Sequence, residues 1–180
     1  MNFSIDIEAD GPIPGPYSMT EFGLVIVDGT FKKTFHGQMK PISDNWDPSA
    51  LAVSNRTREE VLTWRDPKEV MGEAIAWVKF NTPKNDRALF WSDNNGFDFS
   101  FWHWYAHFFC GEDPFSYTSV NLKNILQGQM REFNVKKQIK KWKKTPHTHH
   151  PVEDATGNAE VIWEILLGMG GKKSVVNAEG

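Results

Sequence analysis

The run "SIDIEADG" places two carboxylates, Asp6 and Glu8, on alternate positions of a β-prone, otherwise apolar segment. Side chains of a strand alternate between its faces, so Asp6 and Glu8 share one face and Ile7 turns to the other. Like charges on one face repel, and both are costly to bury without a counter-charge. A chain that opens this way has two physical solutions. Either the strand lies at an edge with its acids in water, or the acidic face meets a hard divalent cation such as Mg²⁺ or Mn²⁺.

The rest of the chain favours a strand inside a core. Its 180 residues suit a single domain with a sizeable interior. Hydrophobic residues at 39% and charged residues at 24% are those of a globular protein, not a disordered or fibrous one. A net charge of −3 excludes a histone-like polycation. Any polyanionic partner must therefore be met by a local basic patch or by bound cations. Cys110 is the sole cysteine, which rules out an intrachain disulfide and a Cys-based zinc site and fits a reducing, cytoplasmic setting. The first residues read as a strand and not as a signal peptide, and no apolar run reaches the length of a membrane span.

Periodicity and turn chemistry set out the elements. "NFSIDIEA" is strand one, and "GPIPGPYS", with three prolines and two glycines, is a loop. "EFGLVIVDG" is a second strand ending in an Asp-Gly turn, and "TFKKTFHGQMK" pairs back on it. Thr57 and Glu60 form a capping box ahead of "REEVLTWR". Asp66-Pro67 is an N-cap and first turn, and Val70, Ala74, Trp77 and Val78 make an apolar stripe along "PKEVMGEAIAWVKF". "RALFWSD" is a buried strand, "FDFSFWHWYAHFF" a buried helix, and "YTSVNLKNIL" a short strand and helix. "VEDATGNAEVIWEILL" closes the chain as an amphipathic helix. The order predicts one α/β domain with a mixed sheet.

Two further places gather titratable groups. Asp98 in "NNGFDFSFW" follows the C-terminal end of a buried strand, where α/β sheets put ligands, although an acid there also stabilises a helix start. In "HTHHPVEDATGNA", His147, His149 and His150 precede Glu153 and Asp154. The histidines stand in a proline-bounded loop with no i, i+4 partner, so this is no zinc cage. A histidine five residues before an aspartate at a loop-to-helix junction can enclose one water.

"SIDIEADG", "NNGFDFSFW" and "HTHHPVEDATGNA" together resemble, in order and spacing, the three motifs of the DnaQ-like exonucleases, the DEDDh branch of the ribonuclease H-like superfamily. The likeness runs from about residue 3 to residue 167. It implies a three-layer domain with a mixed five-stranded sheet flanked by helices, over 1–170, and a tail of 171–180. It further implies a 3′–5′ exonuclease that releases nucleoside monophosphates from single-stranded RNA or DNA with a free 3′ end. In that family Asp6, Glu8, Asp98 and Asp154 would hold two Mg²⁺ ions, with Mn²⁺ able to substitute, and His149 would be the general base. His150 is one residue short of the family spacing and His147 too far, which leaves both as surface polar residues, with His150 the other candidate base should the loop be bulged. Small members of the family pair as homodimers, and the aromatic helix from Phe97 to Phe109 could serve as core or as that interface.

Substrate contacts follow from the same likeness. Asn95 belongs to the second motif, and Met19 and Phe22 stand where family members wedge the terminal base, with plain core packing the alternative for Phe22. The basic run around Lys140, Lys141 and Trp142 either guides phosphates and stacks a base or is a solvated face. The near-bare catalytic domain gives RNA a slight preference over DNA. Two other readings stand beside this one: a non-catalytic nucleic-acid-binding module of the same fold, and a hydrolase of short oligonucleotides or small phosphodiesters.

Overall fold

A computed structural model describes residues 1–169; the expected tail, 171–180, lies outside the described residues. Five strands form one mixed sheet, β1 (Asn2–Ala9), β2 (Met19–Ile26), β3 (Thr34–Gln38), β4 (Leu89–Ser92) and β5 (Ser119–Asn121). Their order is β3-β2-β1-β4-β5, so β1 is the central strand. β1 runs antiparallel to β2 and parallel to β4, and β4 runs parallel to β5. The fold is ribonuclease H-like, as expected.

Seven α-helices join the strands in the described residues: α1 (Pro48–Val53), α2 (Arg58–Leu62), α3 (Pro67–Asn81), α4 (Asn95–Tyr105), α5 (Leu122–Met130), α6 (Lys136–Trp142) and α7 (Pro151–Gly168). α4 continues into a π-helical turn, Ala106–Cys110. The caps are those the sequence offers. Thr57 accepts from the Glu60 amide and Asp66 from the Lys68 amide. α1 was not anticipated, although its Asp47-Pro48 start repeats the Asp66-Pro67 signal, and Asp47 accepts from the Ser49 amide.

Strand alternation builds two cores. Phe3, Ile5, Ile7, Phe22 and Leu24 face one side with residues of α3 and α4, including Val70, Ala74, Phe101 and Trp102. Val25 and Trp91 face the other, with Leu122 and Leu126 of α5 and Ala155, Ala159, Ile162 and Ile165 of α7. Helices therefore cover both faces, which forces β2 to be buried at every position. Met19 and Phe22 are fully buried in the first core. They reach no base, which corrects the expectation that they wedge a terminal nucleotide. Phe22 is held by Phe35 stacked at 5.9 Å and Trp102 edge-on at 5.5 Å.

One close approach sets the site. Gly23 pairs with Asp6 across β1 and β2. A Cβ at Gly23 would collide with the main chain of Pro151, at the start of α7. The absence of a side chain there lets the first turn of α7 settle on the sheet beside the acidic face of β1. A buried pair holds the preceding loop: Arg58 Nη1 donates to Asp10 Oδ2 at 2.8 Å.

Candidate active site

Asp6, Glu8, Asp98 and Asp154 come from β1, α4 and α7 and meet beside one open cleft of about 600 Å³, which Asp6, Glu8 and Asp98 line. Asp98 and Asp154 are almost completely buried. Donor oxygens of Asp6, Glu8 and Asp154 lie within 4.8 Å of one another. Burial first, then repulsion from Asp98 and Glu8, raises the Asp6 carboxyl well above its ordinary range. Burial and the charge of Asp154 push Glu8 up to about 8, and burial pushes Asp98 to about 8. Asp98 Oδ2 is buried without a hydrogen-bond partner.

Among the described residues, no Lys or Arg is paired with these groups. The cleft's lysine, Lys123, lies 3.1 Å from Asp93 at the rim. Several carboxyls forced together, one with an orphan oxygen, fit a hard divalent cation. Their all-oxygen chemistry suits Mg²⁺ or Mn²⁺ better than zinc.

Asp154 also organises the histidine loop. Its Oδ1 accepts from the Thr148 amide at 3.0 Å, and Oδ2 accepts from the His149 amide at 2.9 Å. His149 has a left-handed backbone, φ 60°, a conformation that a β-branched residue would resist. Its Nδ1 lies 3.9 Å from Glu8 Oε1. His147 is not a detached surface residue. Its Nδ1 is 2.8 Å from Asp154 Oδ2, its ring meets that of His149 edge-on at 4.2 Å, and it lines the cleft. His150 precedes α7 with its ring 4.9 Å from that of His36. Glu153 accepts from the Thr148 hydroxyl at 2.6 Å and faces solvent.

No family model matches the chain. The 3′–5′ DNA exonuclease Cap18 of Escherichia coli is 29% identical over 167 residues, covering 88% of each chain. That span takes in nearly the whole domain whose carboxylates converge here. The chain is similar to DnaQ-like 3′–5′ exonucleases. Solved structures share its fold. The nuclease domain of 3′hExo, a DEDDh family member bound to rAMP, superposes with a TM-score of 0.72 at 16% identity, over 92% of this chain and 91% of its own. Pop2p of S. pombe, in a form with Mg²⁺ and Mn²⁺ bound, gives 0.66 at 13% identity, over 92% of this chain and 82% of its own.

The remaining sequence candidates fall outside the cleft. Asn95 accepts from the Ser119 hydroxyl at 2.8 Å, tying α4 to β5. Lys140 and Lys141 are exposed on α6, away from the cleft walls, and Trp142 packs half-buried on the second core. Sequence reading missed Asp93, Lys123 and Asp47, all of which line the cleft. Asp93 was available as the second acid of "SDNNGFD", and Asp47 through its Asp-Pro cap. Lys123 carried no local signal. It also missed Glu21, buried on the neighbouring strand.

Proposed function

We propose that the chain is a divalent-metal-dependent 3′–5′ exonuclease that trims single strands from a free 3′ end and releases nucleoside monophosphates. The convergence of Asp6, Glu8, Asp98 and Asp154, with no Lys or Arg paired to them among the described residues, is the observation that carries this reading. These residues would hold two Mg²⁺ ions, with Mn²⁺ able to substitute. When bound, the ions offset phosphate charge and make water a better nucleophile.

The protein's own groups do the positioning. Asp154 holds the Thr148–His149 main chain against the site. With Nδ1 of His149 turned to Glu8, Nε2 is the nitrogen that accepts the proton of the attacking water. Lys123 at the rim offers positive charge to a phosphate on either side of the scissile one. The exposed Lys140 and Lys141 steer the polyanion from further out. The expectation of RNA rested on domain size alone, and the relative named for DNA favours single-stranded DNA as the first substrate. The lone Cys110 suits a reducing interior such as the cytoplasm. Among the described residues, no helix is long and apolar enough to cross a membrane. A homodimer is the assembly expected from small members of the family, and sedimentation velocity reads it directly.

The test is a time course on 5′-labelled single strands of DNA and RNA of matched sequence, in a length series, with Mg²⁺ and with EDTA. A ladder shortening from the 3′ end, lost in EDTA and in Asp154→Asn, supports the reading. Intact long substrates with cleaved dinucleotides would move the assignment to a short-oligonucleotide hydrolase. Retention on DNA without cleavage under any metal would move it to a binding module.

A further inference from the structure

We infer that His103, His107 and Asp113 form a second metal site, for a borderline transition-metal ion such as Zn²⁺, separate from the exonuclease cleft. His103 lies on α4 and His107 one turn later in the π-helical segment. Their rings approach to 4.5 Å between centroids at 74°. Asp113 follows in the connection to β5. One donor atom from each of the three residues lies within 4.8 Å of the other two.

The carboxylate is already aimed. Asp113 has no exposed side-chain surface. Its Oδ1 accepts from Trp102 Nε1 at 3.1 Å and from the Phe115 amide at 2.9 Å. Those two donors fix the group and leave Oδ2 facing His103 Nδ1 at 2.8 Å. Such outer hydrogen bonds are what orient a metal-binding carboxylate. A pair of histidines one turn apart plus one carboxylate is a three-ligand set with an open fourth position. The ring of Tyr117 lies 5.6 Å from that of His103 and 6.2 Å from that of His107, beside the imidazoles. Zinc–nitrogen bonds of about 2.0–2.1 Å require the donors to close together, which imidazole rotation and release of the His103–Asp113 hydrogen bond supply.

Imidazole donors separate this site chemically from the carboxylate cleft. They favour zinc, nickel or copper, whereas Mg²⁺ prefers oxygen. The two sites are also separate in space. Asp98 is in the first turn of α4, and His103 and His107 lie five and nine residues further along. At helical rise that is roughly 8 and 14 Å of axis. The bound ion would clip the end of α4 and its π-helical turn to the segment that leads into β5. A π-turn at this point is in keeping with such a role, since these turns gather at functional sites. Nothing in this site depends on the exonuclease reading.

The experiment is calorimetric titration of Zn²⁺ into the full chain in saturating Mg²⁺, with visible absorption on Co²⁺ titration and thermal melting alongside. The expected result is one Zn²⁺ per chain, a raised Tm, and a Co²⁺ spectrum of low coordination number. His107→Ala should weaken Zn²⁺ binding by at least about tenfold while its metal-free Tm and its Mg²⁺-supported strand cleavage stay those of the parent. Asp6→Asn should retain the Zn²⁺ site. Zn²⁺ binding that is undiminished in His107→Ala, that disappears in Asp6→Asn, or that is absent from the parent overturns the proposal. Loss of strand cleavage in the parent would sink the exonuclease reading and leave this titration unaffected.

Discussion

Glu8 and Glu21 stand directly opposite each other across β1 and β2, yet only one of them is neutralised. Opposed residues of antiparallel strands share a face, so two carboxylates meet there. Glu21 accepts from Arg56 Nε at 2.6 Å and Gln38 Nε2 at 3.1 Å, and its Oε2 lies 2.9 Å from His36 Nε2. Burial alone would raise its pKa, but hydrogen bonds from His36 and Arg56 outweigh burial and hold it below the usual value. Glu8 has His149 at 3.9 Å and, among the described residues, no Arg or Lys partner. The fold thus supplies a fixed counter-charge for the structural acid and leaves the other for a cation.

Removing the counter-charge should be costly. Arg56→Ala strands Glu21 in the sheet, and breaking a buried pair costs about 3–5 kcal/mol. Arg56 is itself about a quarter exposed, so the loss should fall toward the lower end. Urea unfolding at neutral pH measures it, with Arg56→Ala/Glu21→Gln recovering most of the stability. Failure of the double variant to recover would show that Arg56 acts through packing.

The metal-free protein should lose stability as pH rises. Glu8 and Asp98 titrate at about 8 in the folded chain, far above their values in an unfolded one. Between the two values the native state holds protons that the unfolded chain has released, so unfolding becomes easier with increasing pH. In EDTA the Tm should be lower at pH 8.5 than at pH 5.5, by roughly several degrees. Mg²⁺ should raise the Tm more at the higher pH, where its ligands are easier to deprotonate. A pH-independent Mg²⁺ effect would mean that these carboxyls are not the ligands.

His149 and His147 should separate in kinetics. His149→Ala is expected to lower kcat by about 10²–10⁴-fold, the usual contribution of a general base, with metal affinity little changed. His147→Ala removes a partner of Asp154 and should act mainly on the metal concentration needed for activity. The reverse pattern would make His147 the base.

Gly23→Ala should disable the enzyme without touching a ligand. The added methyl meets the main chain of Pro151, and α7 must lift to accommodate it. Asp154 moves with that helix. Activity should fall by at least about tenfold, with a loss of stability of about 1–3 kcal/mol from overpacking. An active, stable variant would show that α7 adjusts without displacing its carboxylate.

Phe22→Ala is expected to cost about 3–5 kcal/mol by opening a cavity beneath Phe35 and Trp102. Its effect on KM should be small, because the ring reaches no substrate. A raised KM with unchanged stability would return Phe22 to the cleft.

Much of the site was legible as sequence because it is built from local signals. The alternation that puts Asp6 and Glu8 on one face is a property of any strand, and the caps at Thr57 and Asp66 are set by neighbours within a turn. Asp154 and its preceding histidines follow from motif spacing. The wedge role expected of Met19, and weighed against core packing for Phe22, fails for the opposite reason. Their burial depends on α3 and α4 packing over β2 from far along the chain, and nothing adjacent in sequence records it.

The sequence by itself determined the elements, the order of the motifs and which acids could share a face, since strand and helix periodicity act over a few residues. Only the tertiary structure decided what meets across the fold. It brought α7 down over Gly23, put His147 on Asp154, gave Glu21 but not Glu8 a guanidinium, and set Asp113 beside His103 of α4 and His107 of the π-helical turn. Each of those relationships depends on the angle and depth at which separate elements pack, and that is set by side-chain volume and burial throughout the core rather than by any one stretch of chain.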